Sequence, residues 1–225
     1  MGKLILLRHG KSIWNKLNRF TGWVDIPLSS DGIEEALNAG KKIKDIPIDI
    51  IFMSSLARAQ MTTFLAMLYH SSQKVLLVKH PKEGKMDKWA NIYDPEAEAQ
   101  TIPVYIAWQL NERMYGKIQG VDKGKLAEQY GKEQVHIWRR SFNVAPPGGE
   151  SLAKTAKRTL PYFKKKILPH IEKGKNVFIS AHGNSLRSII MYLDKLSEDE
   201  VVSLELATGE PIIYEYDNNT FHKQM

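Results

Sequence analysis

Three features of the sequence predict an α/β fold: a single domain with a mostly parallel central sheet and helices on both faces. Short aliphatic runs, "LILL", "IDIIFM", "KVLLVK" and "NVFIS", recur without polar alternation, as strands buried on both faces require. Longer amphipathic stretches of helical period follow the first, second and fourth of them. Two of the runs, "LILLRHG" and "FISAHG", end in a histidine and a glycine, which brings two imidazoles to the carboxyl edge of one sheet. With 225 residues, 43% hydrophobic and 25% charged, the chain has the composition of one soluble domain with a sizeable core.

Each element has its own warrant. Residues 4–7 form the first strand, and the polar turn after it holds Arg8, His9 and Gly10. A loop through Trp14, Phe20 and Trp23 leads to a helix capped by Ser29 or Ser30, whose apolar stripe is Ile33, Ala36, Leu37, Gly40 and Ile43. "IDIIFM" is the second strand, "SSLARAQMTTFLAMLYH" the next helix and "KVLLVK" a third strand. Periodicity then stops over residues 79–103, which reads as an insertion with short helices that borders the site. Helical segments "KLAEQYG" and "EQVHIWRRSF" follow, then the turn "APPGGES". Residues 152–173 are amphipathic, with Pro161 and Pro169 placed to kink or end the helix. After "NVFIS" a helix begins at Asn184 or Ser185, Ser197 with Glu200 makes a capping box, and "PIIYEY" is the last strand.

Composition excludes several classes. There is no cysteine, so disulfides, thiolate catalysis and cysteine-ligated metals are ruled out, which fits cytoplasmic life. The opening "MGKLIL" is too short and too soon charged for a signal peptide, lacks the Ser or Thr of a myristoylation signal, and no run approaches the ~20 apolar residues of a membrane span. The net charge of +7 raises nucleic acid as a partner. Lysine-rich stretches such as "FKKKILPHIEKGK" read instead as solvated helix faces, and no nucleic-acid motif is present.

The chemistry lies at the strand ends. Arg8 and His9, Ser54 and Ser55 with Arg58 in the next helical turn, and His182 with Gly183 and Asn184 converge on one edge. Imidazole among arginines suits phosphoryl transfer through a ring nitrogen. His9 is the nucleophile, kept neutral by neighbouring cations, while Arg8, Arg58 and His182 neutralise the phosphoryl oxygens, a task that Mg²⁺ performs elsewhere. A metal site is the competing use of the two histidines. The usual ligand spacings are missing and Arg8 repels a cation, so no metal is expected.

The segments "LLRHGKSIWN", "FTGWVDIPLS", "LNERMYGKIQG", "WRRSF", "APPGGES" and "SAHGNSLR" resemble, in matching order, those of phosphoglycerate mutases primed by 2,3-bisphosphoglycerate, within the histidine phosphatase superfamily. The resemblance spans about residues 3–216 and implies a single mutase-like catalytic domain over residues 1–225 with the insertion inside it. It implies phosphorylation of His9, with Glu112 as general acid and base and Arg8, Asn15, Arg58 and His182 around the transferring group, close to the backbone of Gly183 and Asn184. Thr21, Gly22, Arg113, Tyr115, Lys123, Arg139 and Arg140 are implied to hold the glycerate, its carboxylate and its second phosphate. Glu112 beside bound phosphate is expected to have a raised pKa. The resemblance further implies interconversion of 2- and 3-phosphoglycerate with 2,3-bisphosphoglycerate as primer and no metal, small phosphoglycerates as the only partners, and leaves a homo-oligomer open.

Departures from the family pattern are Lys11 and Lys117, added positive charges that read as solvated lysines, and a long insertion. The chain stops at Met225, where many members have a tail that folds over the site. Leakage of phospho-His9 to water, or a cover made by the insertion, is therefore open. A phosphatase on the same fold is the alternative function, disfavoured by the joint presence of Arg113, Lys123, Arg139 and Arg140. A bisphosphoglycerate synthase activity would use the same residues.

Overall fold

The computed structural model describes residues 1–224. Its strands are β1 (Gly2–Arg8), β2 (Ile50–Met53), β3 (Val75–Val78), β4 (Thr101–Ile106), β5 (Val177–Ala181), β6 (Pro211–Asp217) and β7 (Thr220–Lys223). They form one seven-stranded sheet in the order β3-β4-β2-β5-β1-β6-β7. Pairings among β1 to β5 are parallel, and β6 and β7 add antiparallel to the far edge.

The helices are α1 (Ile13–Lys16), α2 (Ser30–Ile43), α3 (Ala57–Ala66), α4 (Met86–Trp89), α5 (Pro95–Ala99), α6 (Lys123–Tyr130), α7 (Lys132–Arg140), α8 (Leu152–Tyr162), α9 (Leu168–Glu172), α10 (Gly183–Leu193) and α11 (Glu198–Ser203). Side chains of β1 alternate between two cores, as a strand's period of two demands. Leu4 and Leu6 pack with Phe163, Ile167, Ile189 and Ile190 on one face, and Ile5 and Leu7 with Ala39, Ile43 and Ala66 on the other. A third, smaller core of Phe20, Ile118, Leu126, Val135 and Trp138 lies under α6 and α7. Burial of such side chains is worth about 1.5–3 kcal/mol each. It fixes α7 so that its last turn presents Arg139 and Arg140.

Several expectations are corrected. The insertion ends at Gln100, because residues 101–106 are strand β4, hidden in the sequence by Pro103. Pairing of β4 with β2 begins only at Val104, so the N–H that Pro103 lacks interrupts no bond to β2. Strand β7 follows a turn at Asn218 and Asn219, both in the left-handed region at φ 48° and 62°, so "PIIYEY" is not the last strand. Residues 152–172 run as one helical rod, because a π-helical turn at Phe163–Ile167 shifts the hydrogen-bond register between the two prolines. The helix after β5 starts at Gly183, and the one after β2 ends at Ala66. The Ser29 cap and the Ser197–Glu200 capping box are present as expected.

Candidate active site

Sheet register builds the centre. Arg8 pairs with Ala181 across β1 and β5, and the His9 amide donates to the Ala181 carbonyl at 3.0 Å. His9 and His182 therefore leave the sheet side by side, with ring centroids 4.8 Å apart. On the other side of β5 the Ser54 amide donates to the Ser180 carbonyl, which brings the Ser54 hydroxyl to 2.7 Å from His182 Nε2.

The hydrogen bonds fix the protons. His9 Nδ1 lies 2.6 Å from the Gly10 carbonyl, an acceptor, so Nδ1 carries the hydrogen and Nε2 keeps its lone pair. Arg58 Nε donates to that Nε2 at 3.4 Å, which needs the same tautomer. The ring nitrogen that keeps a lone pair, which the sequence left open, is His9 Nε2. The Ser54 hydroxyl gives its proton to Asn111 Oδ1, so it accepts from His182 Nε2, and His182 Nδ1 is left buried with no partner. Burial foremost, then Arg58 and Arg8, holds His9 well below the usual imidazole pKa. Burial, then Arg58, His9, Arg8 and Arg158, does the same for His182. Both rings are neutral near pH 7.

Arg58 is 1% exposed and clamped by the carbonyls of Gly22 at 2.8 Å and Val24 at 3.1 Å. The clamp needs a left-handed residue at Gly22, where φ is +55° and a Cβ would lie 2.0 Å from Gln119 Oε1. Glu112 is equally fixed. Its Oε1 accepts from the Arg113 amide at 2.7 Å and from the Asn184 amide and side chain at 3.2 and 2.8 Å, while Oε2 makes no hydrogen bond among the described residues. Burial alone would raise this carboxyl, but the Arg113 amide, the Asn184 side chain, Arg8 and Arg58 outweigh it and hold the pKa below the ordinary value. The expected raised pKa is thus not a property of the free site, where nearby donors favour the carboxylate.

One pocket joins these groups. It is lined by Arg8, His9, Asn15, Thr21, Gly22, Arg58, Glu112, Tyr115, Lys123, Arg139, Arg140, Gly183 and Asn184, all expected from sequence, together with Arg19, Phe20, Arg187 and Glu205, which were not. His182 and Arg113 stand behind the lining. Arg113 is 1% exposed, stacks on the Tyr115 ring and donates to the Tyr115 hydroxyl at 3.2 Å and the Arg139 carbonyl at 3.1 Å, so it positions two pocket residues. Arg158 and Glu150 do the same for Glu112. They pair in bidentate fashion, Arg158 donates to the carbonyls of Gln109, Asn111 and Glu112, and Glu150 accepts from the Met114 amide. That explains the glutamate of "APPGGES". Lys11 and Lys117 do not line the pocket, and neither does any residue of 79–100, so the insertion does not border it as expected.

A family model described as the histidine phosphatase superfamily, branch 1, matches residues 4–109 and 90–225. A 2,3-bisphosphoglycerate-dependent phosphoglycerate mutase of Protochlamydia amoebophila is 62% identical over 224 residues, covering 100% of this chain and 99% of that protein. The chain belongs to the phosphoglycerate mutase family. Another mutase of that family, from Chlamydia muridarum, is 57% identical over 99% of this chain and 97% of its own. Mutase 1 of Arabidopsis thaliana is 55% identical over 98% of this chain and 66% of its own. Among solved structures, Bacillus stearothermophilus YhfR superposes with a TM-score of 0.76 at 23% identity, covering 99% of this chain and 95% of that one. A mycobacterial glucosyl-3-phosphoglycerate phosphatase superposes at 0.72 with 21% identity, covering 100% and 97%. At that identity these two show that the mutase family's fold is shared, and nothing finer.

Proposed function

We infer that this protein interconverts 2-phosphoglycerate and 3-phosphoglycerate, the glycolytic and gluconeogenic step, through phosphorylated His9. The observation that carries the reading is the meeting, in one cationic pocket, of an imidazole with its lone pair at Nε2 and a carboxylate oxygen left without a partner. Close relatives of full length bear the mutase name and supply the substrate.

Phospho-His9 passes its group to the free hydroxyl of a monophosphoglycerate, breaking the N–P bond as a P–O bond forms, and the freed Nε2 then attacks the other phosphorus, whose P–O bond to the glycerate breaks; in both transfers Arg8, Arg58 and His182 take up the charge on the phosphoryl oxygens. His182 lies behind the lining with its ring centroid 4.8 Å from that of His9, where the negative charge of a bound phosphate raises its pKa and favours the protonated ring. Glu112 Oε2 takes the proton of the attacking hydroxyl and returns it to the leaving oxygen. Arg139, Arg140, Lys123 and Tyr115 hold the anionic groups remote from His9. The residues fit a doubly phosphorylated primer, since buried polar atoms without partners, Arg8 Nε and Thr21 Oγ1, stand in lining residues. 2,3-Bisphosphoglycerate, when bound, supplies the phosphoryl group that primes His9.

Metal-independence is part of the reading, with arginines in the place of a metal's charge. So is a cytoplasmic setting; among the described residues no helix is long and apolar enough to cross a membrane. A homo-oligomer is supported by apolar side chains exposed on α3, just after it and on the edge strand β3: Phe64, Leu68, Tyr69 and Val75 are 44%, 60%, 69% and 64% exposed. Sedimentation equilibrium at the monomer mass would remove that part.

The test of function is isomerisation of 3-phosphoglycerate by the purified protein in EDTA, with and without catalytic 2,3-bisphosphoglycerate, while free phosphate is recorded. Isomerisation that depends on the bisphosphate, with little phosphate released, is expected. Phosphate release without isomerisation would move the protein to the phosphatases, and loss of activity that added metal restores would end metal-independence.

A further inference from the structure

Arg187 and Glu205 line the pocket, and nothing in the reaction above uses them. Arg187 lies on the same face of α10 as Gly183, one turn on, and its Nη1 would stand 3.8 Å from a Cβ placed on Gly183. The Glu112 Oε2 atom is 3.7 Å from the same point, so Arg187 belongs to the catalytic wall. Its side chain is only 11% exposed.

The last turn of α11 and residues 204–206 pass over this wall as a strap. The carbonyls of Val202, Leu204 and Leu206 accept hydrogen bonds from Arg140 at 3.3 Å, Arg187 at 2.8 Å and Arg8 at 2.6 Å. The strap thereby orients three cationic side chains of the pocket and leaves Glu205 beside two of them. The Glu205 carboxylate accepts from Arg140 Nη2 and stands 3.8 Å from Arg187 Nη2. A carboxylate of the chain itself therefore occupies the space between two arginines that face a polyanion's pocket. It is 71% exposed while Arg140 and Arg187 are 27% and 11% exposed, so the anion, and not the pair of cations, is the movable member.

We propose that Arg140 and Arg187 together form a seat for an oxyanion of the substrate remote from His9, and that Glu205 fills this seat in the free protein and leaves it when phosphoglycerate binds. Arg187 is then a further substrate-binding residue, and Glu205 an internal competitor that lowers affinity and eases release. Guanidinium forks accept carboxylate and phosphate alike, so the shared chemistry is a planar or tetrahedral oxyanion. The proposal rests on the pocket being a phosphoglycerate site.

The experiment is calorimetric titration of the unphosphorylated full-length protein with 3-phosphoglycerate, inorganic phosphate and glycerate, for the wild type, Glu205→Gln, Arg187→Ala and the double variant. Glu205→Gln is expected to tighten 3-phosphoglycerate about threefold to fivefold, the scale of an exposed ion pair. Arg187→Ala is expected to weaken it about tenfold, as loss of a charged hydrogen bond does, and to abolish the gain in the double variant. Tightening shared with inorganic phosphate assigns the seat to a phosphate, and tightening shared with glycerate alone assigns it to the carboxylate. Unchanged or weaker binding of every probe in Glu205→Gln, with an unaltered melting temperature, would overturn the proposal and make Glu205 a strut of the strap. Failure of the wild type to bind 3-phosphoglycerate would instead sink the substrate assignment, and the phosphate titration would still report on Glu205. If Arg187→Ala does not fold, the exposed Glu205→Gln decides alone.

Discussion

The two ends of the pocket are built differently. At the His9 end the groups are buried and held: His9, Arg58 and His182 are 3%, 1% and 0% exposed, and each has a ring or guanidinium atom bonded to backbone or to a buried hydroxyl. At the outer end Arg140 is 27% exposed and its carboxylate partner Glu205 is 71% exposed. Charge that develops during phosphoryl transfer is best met by groups that need no reorganisation, which the inner end provides. A substrate that presents first one phosphate and then the other to the same histidine must turn between transfers. The loosely paired outer end allows that.

The comparison breaks most decisively at His9. His9→Ala is expected to remove the phosphoenzyme and to lower turnover about 10⁴-fold or more, read by intact-mass spectrometry and a coupled assay. A phosphorylated His9→Ala variant with normal turnover would place the nucleophile elsewhere. Glu112→Gln comes next. It is nearly isosteric and retains an oxygen for the Arg113 and Asn184 amides, so kcat should fall about 10²- to 10⁴-fold with little change in the Kd for 3-phosphoglycerate. If binding weakens and kcat holds, Glu112 is a binding residue only. At the outer end Arg139→Ala should behave in the opposite sense, raising KM about tenfold with a smaller effect on the phosphoenzyme. A larger loss in kcat than in KM would erase the distinction between the ends.

The buried end also has a stability signature. Both histidines have folded-state pKa values depressed below the unfolded value of about 6.5, chiefly by burial. Above that pH both states are neutral. Below it the unfolded chain binds protons that the fold refuses, so stability falls with pH, by up to about 1.4 kcal/mol per unit for each histidine, until the folded pKa is reached. Urea midpoints at pH 7 and pH 5 should show this loss, and His9→Gln should reduce the slope by about one proton. An unchanged slope would mean that His9 is protonated in the fold.

The inner end was largely legible in the sequence and the outer end only partly, for a physical reason. Parallel sheet geometry sends every strand's carboxyl end to one edge, so two "HG" strand ends and Arg58 one turn into a helix already define a cluster. Glu112 at the inner end was reached only through the family resemblance, and so were Lys123, Arg139 and Arg140, because their position depends on the small core beneath α6 and α7. Glu205 gave no signal at all. Its place depends on backbone carbonyls at and just after the end of α11, which any residue could supply. Strand β4 was missed because a proline breaks the pattern, although it interrupts no bond to β2 in this register.

The smallest effect is expected farthest from both ends, in residues 79–100. Trp89 and Tyr93 are 72% and 83% exposed, large aromatic side chains that usually seek cover, on a segment that contributes nothing to the pocket lining. Lys85 stacks on Trp89 at 4.9 Å, and both belong to the insertion itself. A lid would behave otherwise. If these aromatics closed over phosphorylated His9, removing them would admit water, and the ratio of phosphate released to isomer formed would rise. As the molecule stands, Trp89→Ala and Tyr93→Ala should change stability by no more than about 0.5 kcal/mol and leave that ratio and kcat/KM unaltered. A rise in phosphate release in either variant would show that the insertion reaches the site during turnover, and the enclosure of His9 would then have to be attributed in part to the insertion.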